Sequence, residues 1–143
     1  MLEHKPPAKA ILWPLTNSLI LGAMPSAVKL ARRFTARNLL AWNMPGLADD
    51  APLVVSELVT NAIKASWLVH AGTVVVWFWA NGGELLIEVW DASPQPPTPV
   101  AEPADEGGRG LGIVAALCGS WGWYTDCRKG KVVWASVSSG RPA

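Results

Sequence analysis

Ser56-Glu57-Leu58-Val59-Thr60-Asn61-Ala62 places a carboxylate and a carboxamide four residues apart inside an apolar run. Residues at i and i+4 stack on one side of a helix, so Glu57 and Asn61 point the same way, with Lys64 one turn further on. Val54, Val55, Leu58, Val59 and Ala62 supply apolar faces on either side, the pattern of a helix that packs on a core. A carboxylate accepts a proton and an amide oxygen suits a hard cation, so the pair can orient a hydroxyl beside a metal. Taken alone, the same stripe also reads as the solvated side of an amphipathic helix.

Two downstream features bear on that choice. Gly107-Gly108-Arg109-Gly110-Leu111-Gly112-Ile113-Val114 follows a long loop and opens into an apolar, helix-like run ending near Cys118. Glycines at a helix mouth let backbone approach a ligand, the free N–H groups there favour anions, and Arg109 adds a planar donor fork suited to phosphate. The turn is neither a P-loop, which needs Gly-Lys-Ser/Thr, nor a Rossmann fingerprint. Leu85-Leu86-Ile87-Glu88-Val89-Trp90-Asp91 is a strand-like run ending in an acid, which either turns the chain or contacts a ligand.

Working outward gives the architecture. Ile11 to Leu21 reads as a first strand at a sheet edge, because Pro14 cannot donate to a ladder. Pro25-Ser26 starts a helix to about Trp42, broken by Asn43-Met44-Pro45-Gly46. Asp49 and Asp50 suit the start of the second helix, which runs to about Val69. Strands follow at Thr73 to Ala80 and Glu84 to Asp91, joined by the hairpin signal Asn81-Gly82-Gly83. After the loop Ala92 to Asp105 come a third helix from Arg109 to Cys118 and strands near Trp121 to Cys127 and Lys131 to Ser138. The expected fold is α+β: a two-layer α/β sandwich with three helices on one face of a mixed, mostly antiparallel sheet. The tails are read as residues 1–9 and 140–143, the domain as 10–139.

Composition bounds the function. The chain has 143 residues, half of them hydrophobic and 16% charged, which suits one domain with a generous core. A net charge of +1 offers no broad footprint for nucleic acid. Two cysteines, Cys118 and Cys127, predict a buried helix thiol and a strand thiol rather than a disulfide framework. His4 and His70 lack the paired spacing of a transition-metal site. No run has the uninterrupted apolar length of a membrane helix and no signal-peptide pattern follows Met1 to Lys9, so no membrane partner and a cytoplasmic location are expected. Most of the nine tryptophans are expected in the core.

Taken in order, Glu57-x-x-x-Asn61, the strand ending in Asp91, the glycine turn and Gly130-Lys131-Val132-Val133-Trp134-Ala135 resemble the histidine-kinase-like ATPase domain, the Bergerat or GHKL fold. The likeness runs from about Leu21 to Val137 and is nearest the anti-sigma-factor serine kinases of the RsbW and SpoIIAB type, in their actinobacterial form. The chain departs from that pattern in three places. No spaced glycines follow Asp91, Ala65 stands where a histidine usually follows the asparagine box, and Gly130-Lys131 lacks the hydroxyl of a terminal Gly-Thr box.

The resemblance implies ATP and Mg²⁺ as cofactors. Asn61 would hold the metal, Glu57 would be the catalytic base toward a partner serine or threonine, and Asp91 would take the adenine amino group. Lys64, Arg109 and the backbone of Gly108, Gly110, Leu111 and Gly112 would surround the phosphates, with the loop after Asp91 as a lid. The implied partners are a sigma factor, a STAS-domain antagonist that is phosphorylated, and a second copy of the chain joined through the first strand. A non-catalytic module of the same fold that sequesters a partner is the alternative. An ATP-hydrolysing clamp or sensor-kinase domain is a third.

Overall fold

A computed structural model describes residues 3–6, 14–81, 83–97, 110–127 and 129–138. Its elements are β1 (Leu15–Gly22), α1 (Ser26–Ala41), a 3₁₀ turn (Pro45–Leu47), α2 (Asp50–Leu68), β2 (Thr73–Ala80), β3 (Glu84–Asp91), α3 (Gly110–Leu117), β4 (Ser120–Thr125) and β5 (Lys131–Ser138). Positions 11–13 of the expected first strand, Arg109 and most of the expected lid lie outside the described residues.

The five strands lie in the order β1-β2-β3-β5-β4, and all four pairings are antiparallel. The sheet expected to be mixed therefore has no parallel pair among the described strands. Two connections explain this: β2–β3 and β4–β5 are hairpins, while β1 joins the far edge of β2 only after α1 and α2 have crossed the sheet. In the first hairpin the Asn81 side-chain oxygen accepts from the backbone N–H groups of Gly83 and Glu84 at 3.1 and 2.9 Å.

Alternation along the strands divides the sheet into two faces. Val74, Val76, Phe78 and Ala80 of β2, with Leu85, Ile87 and Val89 of β3 and Val133, Ala135 and Val137 of β5, form one core with the helices. Val54, Val55, Leu58, Val59 and Ala62 of α2 all enter that core, as their spacing predicts. Full burial of Leu58 contributes about 1.5–3 kcal/mol. The buried side of α1 is formed by Ala27, Ala31, Thr35, Asn38 and Leu39. Phe34 reaches across to Phe78, with ring centroids 5.5 Å apart.

Both long helices end in the same way. Asn43 and His70 take positive φ values of 53° and 56°. Met44 N–H returns to the Leu39 carbonyl and Ala71 N–H to the Ser66 carbonyl, the long bond of a Schellman cap.

The outer face carries four tryptophans, Trp77, Trp79, Trp90 and Trp134. Trp134 is buried there and the other three are half-buried; Trp123 lies in the main core with Trp42 and Trp121 packed against it, and Trp67 is exposed, so the core expectation holds for three of the eight described tryptophans. Leu86 and Trp134 form a second apolar cluster with Trp79 and Tyr124 packed on it. Within it Glu88 is buried, its carboxylate accepting from Trp79 Nε1 at 2.8 Å and from the Tyr124 hydroxyl at 2.7 Å. Residues 3–6, expected as part of a tail, instead lie along β4: His4 N–H donates to the Trp123 carbonyl and the Glu3 carboxylate accepts from Thr125 N–H. No disulfide joins Cys118 and Cys127; Cys118 is half-buried just past α3, and Cys127 is exposed in the turn after β4, not in a strand.

Candidate functional site

Asp91 ends β3 with the same parity as Ile87 and Val89, so its side chain enters the space between sheet and helices. Register sets Lys131, the first residue of β5, directly opposite. Lys131 Nζ lies 2.9 Å from Asp91 Oδ1, and the two side chains are 4% and 1% exposed. The same Oδ1 accepts the Ser93 N–H at 2.8 Å, and Nζ also reaches the Ser93 carbonyl at 3.5 Å. Asp91 Oδ2 is buried and has no hydrogen-bond partner among the described residues. Burial pushes the Asp91 carboxyl above its ordinary value, while the Lys131 charge and the hydrogen bonds from Lys131 and Ser93 pull it back.

A buried carboxylate oxygen without a donor is costly, and natural proteins seldom leave one unless something else supplies the donor. The turn into β5 is packed tightly around this point. A Cβ on Gly130 would run into the Asp91 carbonyl oxygen and come within 2.7 Å of Trp90 Nε1.

The second half of the site lies on α2. Glu57, Asn61 and Lys64 are all half-buried, between the core positions and the exposed side of the helix. Burial raises the Glu57 carboxyl above its ordinary value, and the Lys64 charge opposes that. The short link from Val69 to Gly72 joins the end of α2 to the start of β2. Along the helix axis, Asn61 and Lys64 therefore lie nearer the sheet end that carries Asp91 than Glu57 does.

The glycine turn is described only from Gly110, the first residue of α3; Gly108 and Arg109 lie outside the described residues. Leu111 and Val114 anchor α3 in the core, so Leu111 can offer a ligand its backbone but not its side chain. Gly112 faces open space among the described residues, with none of their atoms within 4 Å of where a Cβ would stand. That leaves room for a ligand at the first turn of α3, where N–H groups have no helical partner.

These residues fit an adenine nucleotide. Asp91 has an unused acceptor for an amino group, Gly112 leaves space, and the Asn61 amide oxygen suits Mg²⁺. Among the described residues no group of three or more His, Cys, Asp or Glu side chains gathers as a metal cage, so phosphate and water oxygens would complete the shell around such an ion. Sequence reasoning missed the position of Lys131, noting there only an absent hydroxyl. The ends of two strand-like runs were the available signal, but only the strand order makes them neighbours.

A family model for the histidine kinase-like ATPase domain matches residues 21–137. The chain belongs to that family, an ATP-binding class. No curated protein matches it. No helix among the described residues is long and apolar enough to cross a membrane.

Proposed function

We propose that the protein is an ATP-dependent serine/threonine kinase of the RsbW and SpoIIAB type, which restrains a sigma factor and phosphorylates a STAS-domain antagonist in the cytoplasm. The observation that carries this reading is the Glu57–Asn61 stripe of α2, where a half-buried carboxyl held above its ordinary value stands one turn from an amide. Family membership supports the nucleotide, and the order of the motifs supports the subtype.

Phosphoryl transfer is mostly positioning and charge neutralisation. ATP with Mg²⁺ supplies the phosphoryl group when bound. Asp91 accepts the base's amino group, Asn61 contributes an oxygen to the cation, and Lys64 and Arg109 offset phosphate charge. Glu57 takes the proton of the incoming hydroxyl, and partial desolvation makes it a better base than a fully solvated carboxylate. A second copy would pair through the β1 edge, which has one neighbour in the sheet and exposes Ile20.

The Lys131–Asp91 ion pair favours a second reading, a sequestering module with weak nucleotide affinity, because part of Asp91's capacity is already taken. One experiment separates the two. Mg-ATP should raise the melting temperature by mass action, and labelled phosphate should pass to a cognate STAS protein. Glu57→Ala should keep nucleotide affinity within a few-fold and slow transfer by roughly 10²–10⁴. Asn61→Ala should weaken binding and transfer together. A wild type that holds a sigma factor yet transfers no phosphate is the sequestering module.

A further inference from the structure

We infer that Lys131 is a base-contacting residue: with Asp91 it presents one unused acceptor and one unused donor side by side, and together they read the amino group and N1 of adenine. The inference rests on the nucleotide-binding reading above and adds a residue to it.

The argument is an inventory of hydrogen-bonding capacity. Asp91 Oδ1 already accepts from Lys131 Nζ and Ser93 N–H, whereas Oδ2 has no donor among the described residues. An ammonium carries three N–H groups. One goes to Asp91 at 2.9 Å and a second makes a long contact with the Ser93 carbonyl at 3.5 Å. The third has no partner among the described residues, although Lys131 is only 3% exposed. A buried charge with an unfilled donor beside a buried carboxylate with an unfilled acceptor is an expensive arrangement for a closed protein core.

Adenine matches that pair on its Watson–Crick edge, where the exocyclic amino group donates and adjacent N1 accepts. Guanine inverts both positions, setting O6 against the carboxylate oxygen and N1–H against the ammonium. The backbone holds the pair rigidly, because Asp91 and Lys131 are register partners in the sheet and Gly130 lets the turn close against Asp91.

The test compares Mg-ATP, Mg-GTP and the Mg complex of 1-deaza-ATP, in which a carbon replaces N1, by titration calorimetry on the wild-type chain. The expected result is measurable ATP binding and about ten-fold weaker binding of 1-deaza-ATP, the loss of one charge-assisted hydrogen bond. GTP should bind more weakly than either. In Lys131→Met, ATP and 1-deaza-ATP should bind within two-fold of each other, because the donor that told them apart is gone. Equal affinity for ATP and 1-deaza-ATP in the wild type overturns the role of Lys131 while leaving nucleotide binding intact. No binding of any nucleotide overturns both. If Lys131→Met fails to fold, the wild-type comparison still decides, since it changes only the ligand.

Discussion

Glu57 shows what a half-buried carboxyl costs its fold. Its carboxyl is half-buried, and loss of water raises it above the ordinary value despite the charge of Lys64. The folded state therefore holds this proton more tightly than the unfolded chain does. The resulting contribution to stability is present below the ordinary carboxylate range and is lost as pH rises through the raised value. Urea unfolding between about pH 4 and pH 7 should show the wild type losing stability relative to Glu57→Gln as pH rises. A wild-type curve that gains on the variant over that interval would contradict the assigned environment. At this scale the Glu57–Asn61 spacing was legible, because helical periodicity alone sets two residues on one stripe. The partner of Asp91 was not, since it comes from another strand forty residues away.

Among the elements, the turn into β5 carries the sharpest constraint. Gly130 sits where a Cβ would press on the Asp91 carbonyl and the Trp90 indole, and Lys129 before it has a φ of 70°. Gly130→Ala should cost about 1–3 kcal/mol, the usual range for overpacking, and should displace Lys131 from Asp91. Denaturant midpoints measure the first effect, and weakened Mg-ATP binding measures the second. An alanine variant as stable as the wild type would show that the turn can relax. Most elements were readable from sequence because their signals are local: β2, β3 and β5 fall on their expected residues, and α1 and α2 stop where a left-handed residue can close the cap. The ends of β4 were less legible, since Ser120 to Thr125 is set by pairing with β5 and not by its own composition.

Across the whole molecule, the N-terminal residues help to finish the sheet. β4 is an edge strand, and residues 3 and 4 bond to its outward-facing groups at Trp123 and Thr125. The His4 carbonyl accepts from Trp134 Nε1 at 2.5 Å, and its ring lies 5.3 Å from the Trp134 ring. Gly122 makes room for this contact, because a Cβ there would stand 2.9 Å from His4 Cβ. Removing residues 1–6 uncovers the Trp134 indole and exchanges its protein acceptor for water, which should cost about 0.5–1.5 kcal/mol. Tryptophan emission should shift to the red as Trp134 meets water. Unchanged emission and an unchanged urea midpoint would mean that the contact contributes nothing. Tail-like composition concealed this role, because an edge strand recruits backbone groups, which every residue carries.

The sequence by itself determined the helices and strands, the stripe on α2, the apolar positions that fill the core, and the family to which the motifs belong. Each rests on local periodicity or on fixed spacing along the chain. Only the tertiary structure decided that every pairing among the described strands is antiparallel, that Lys131 neutralises Asp91, that Leu111 is an anchor, and that Trp79 and Trp134 gather on the outer face around a buried Glu88. Those facts depend on strand order and register, which bring together residues far apart in the chain, and no local pattern encodes which distant partner a buried charge will meet.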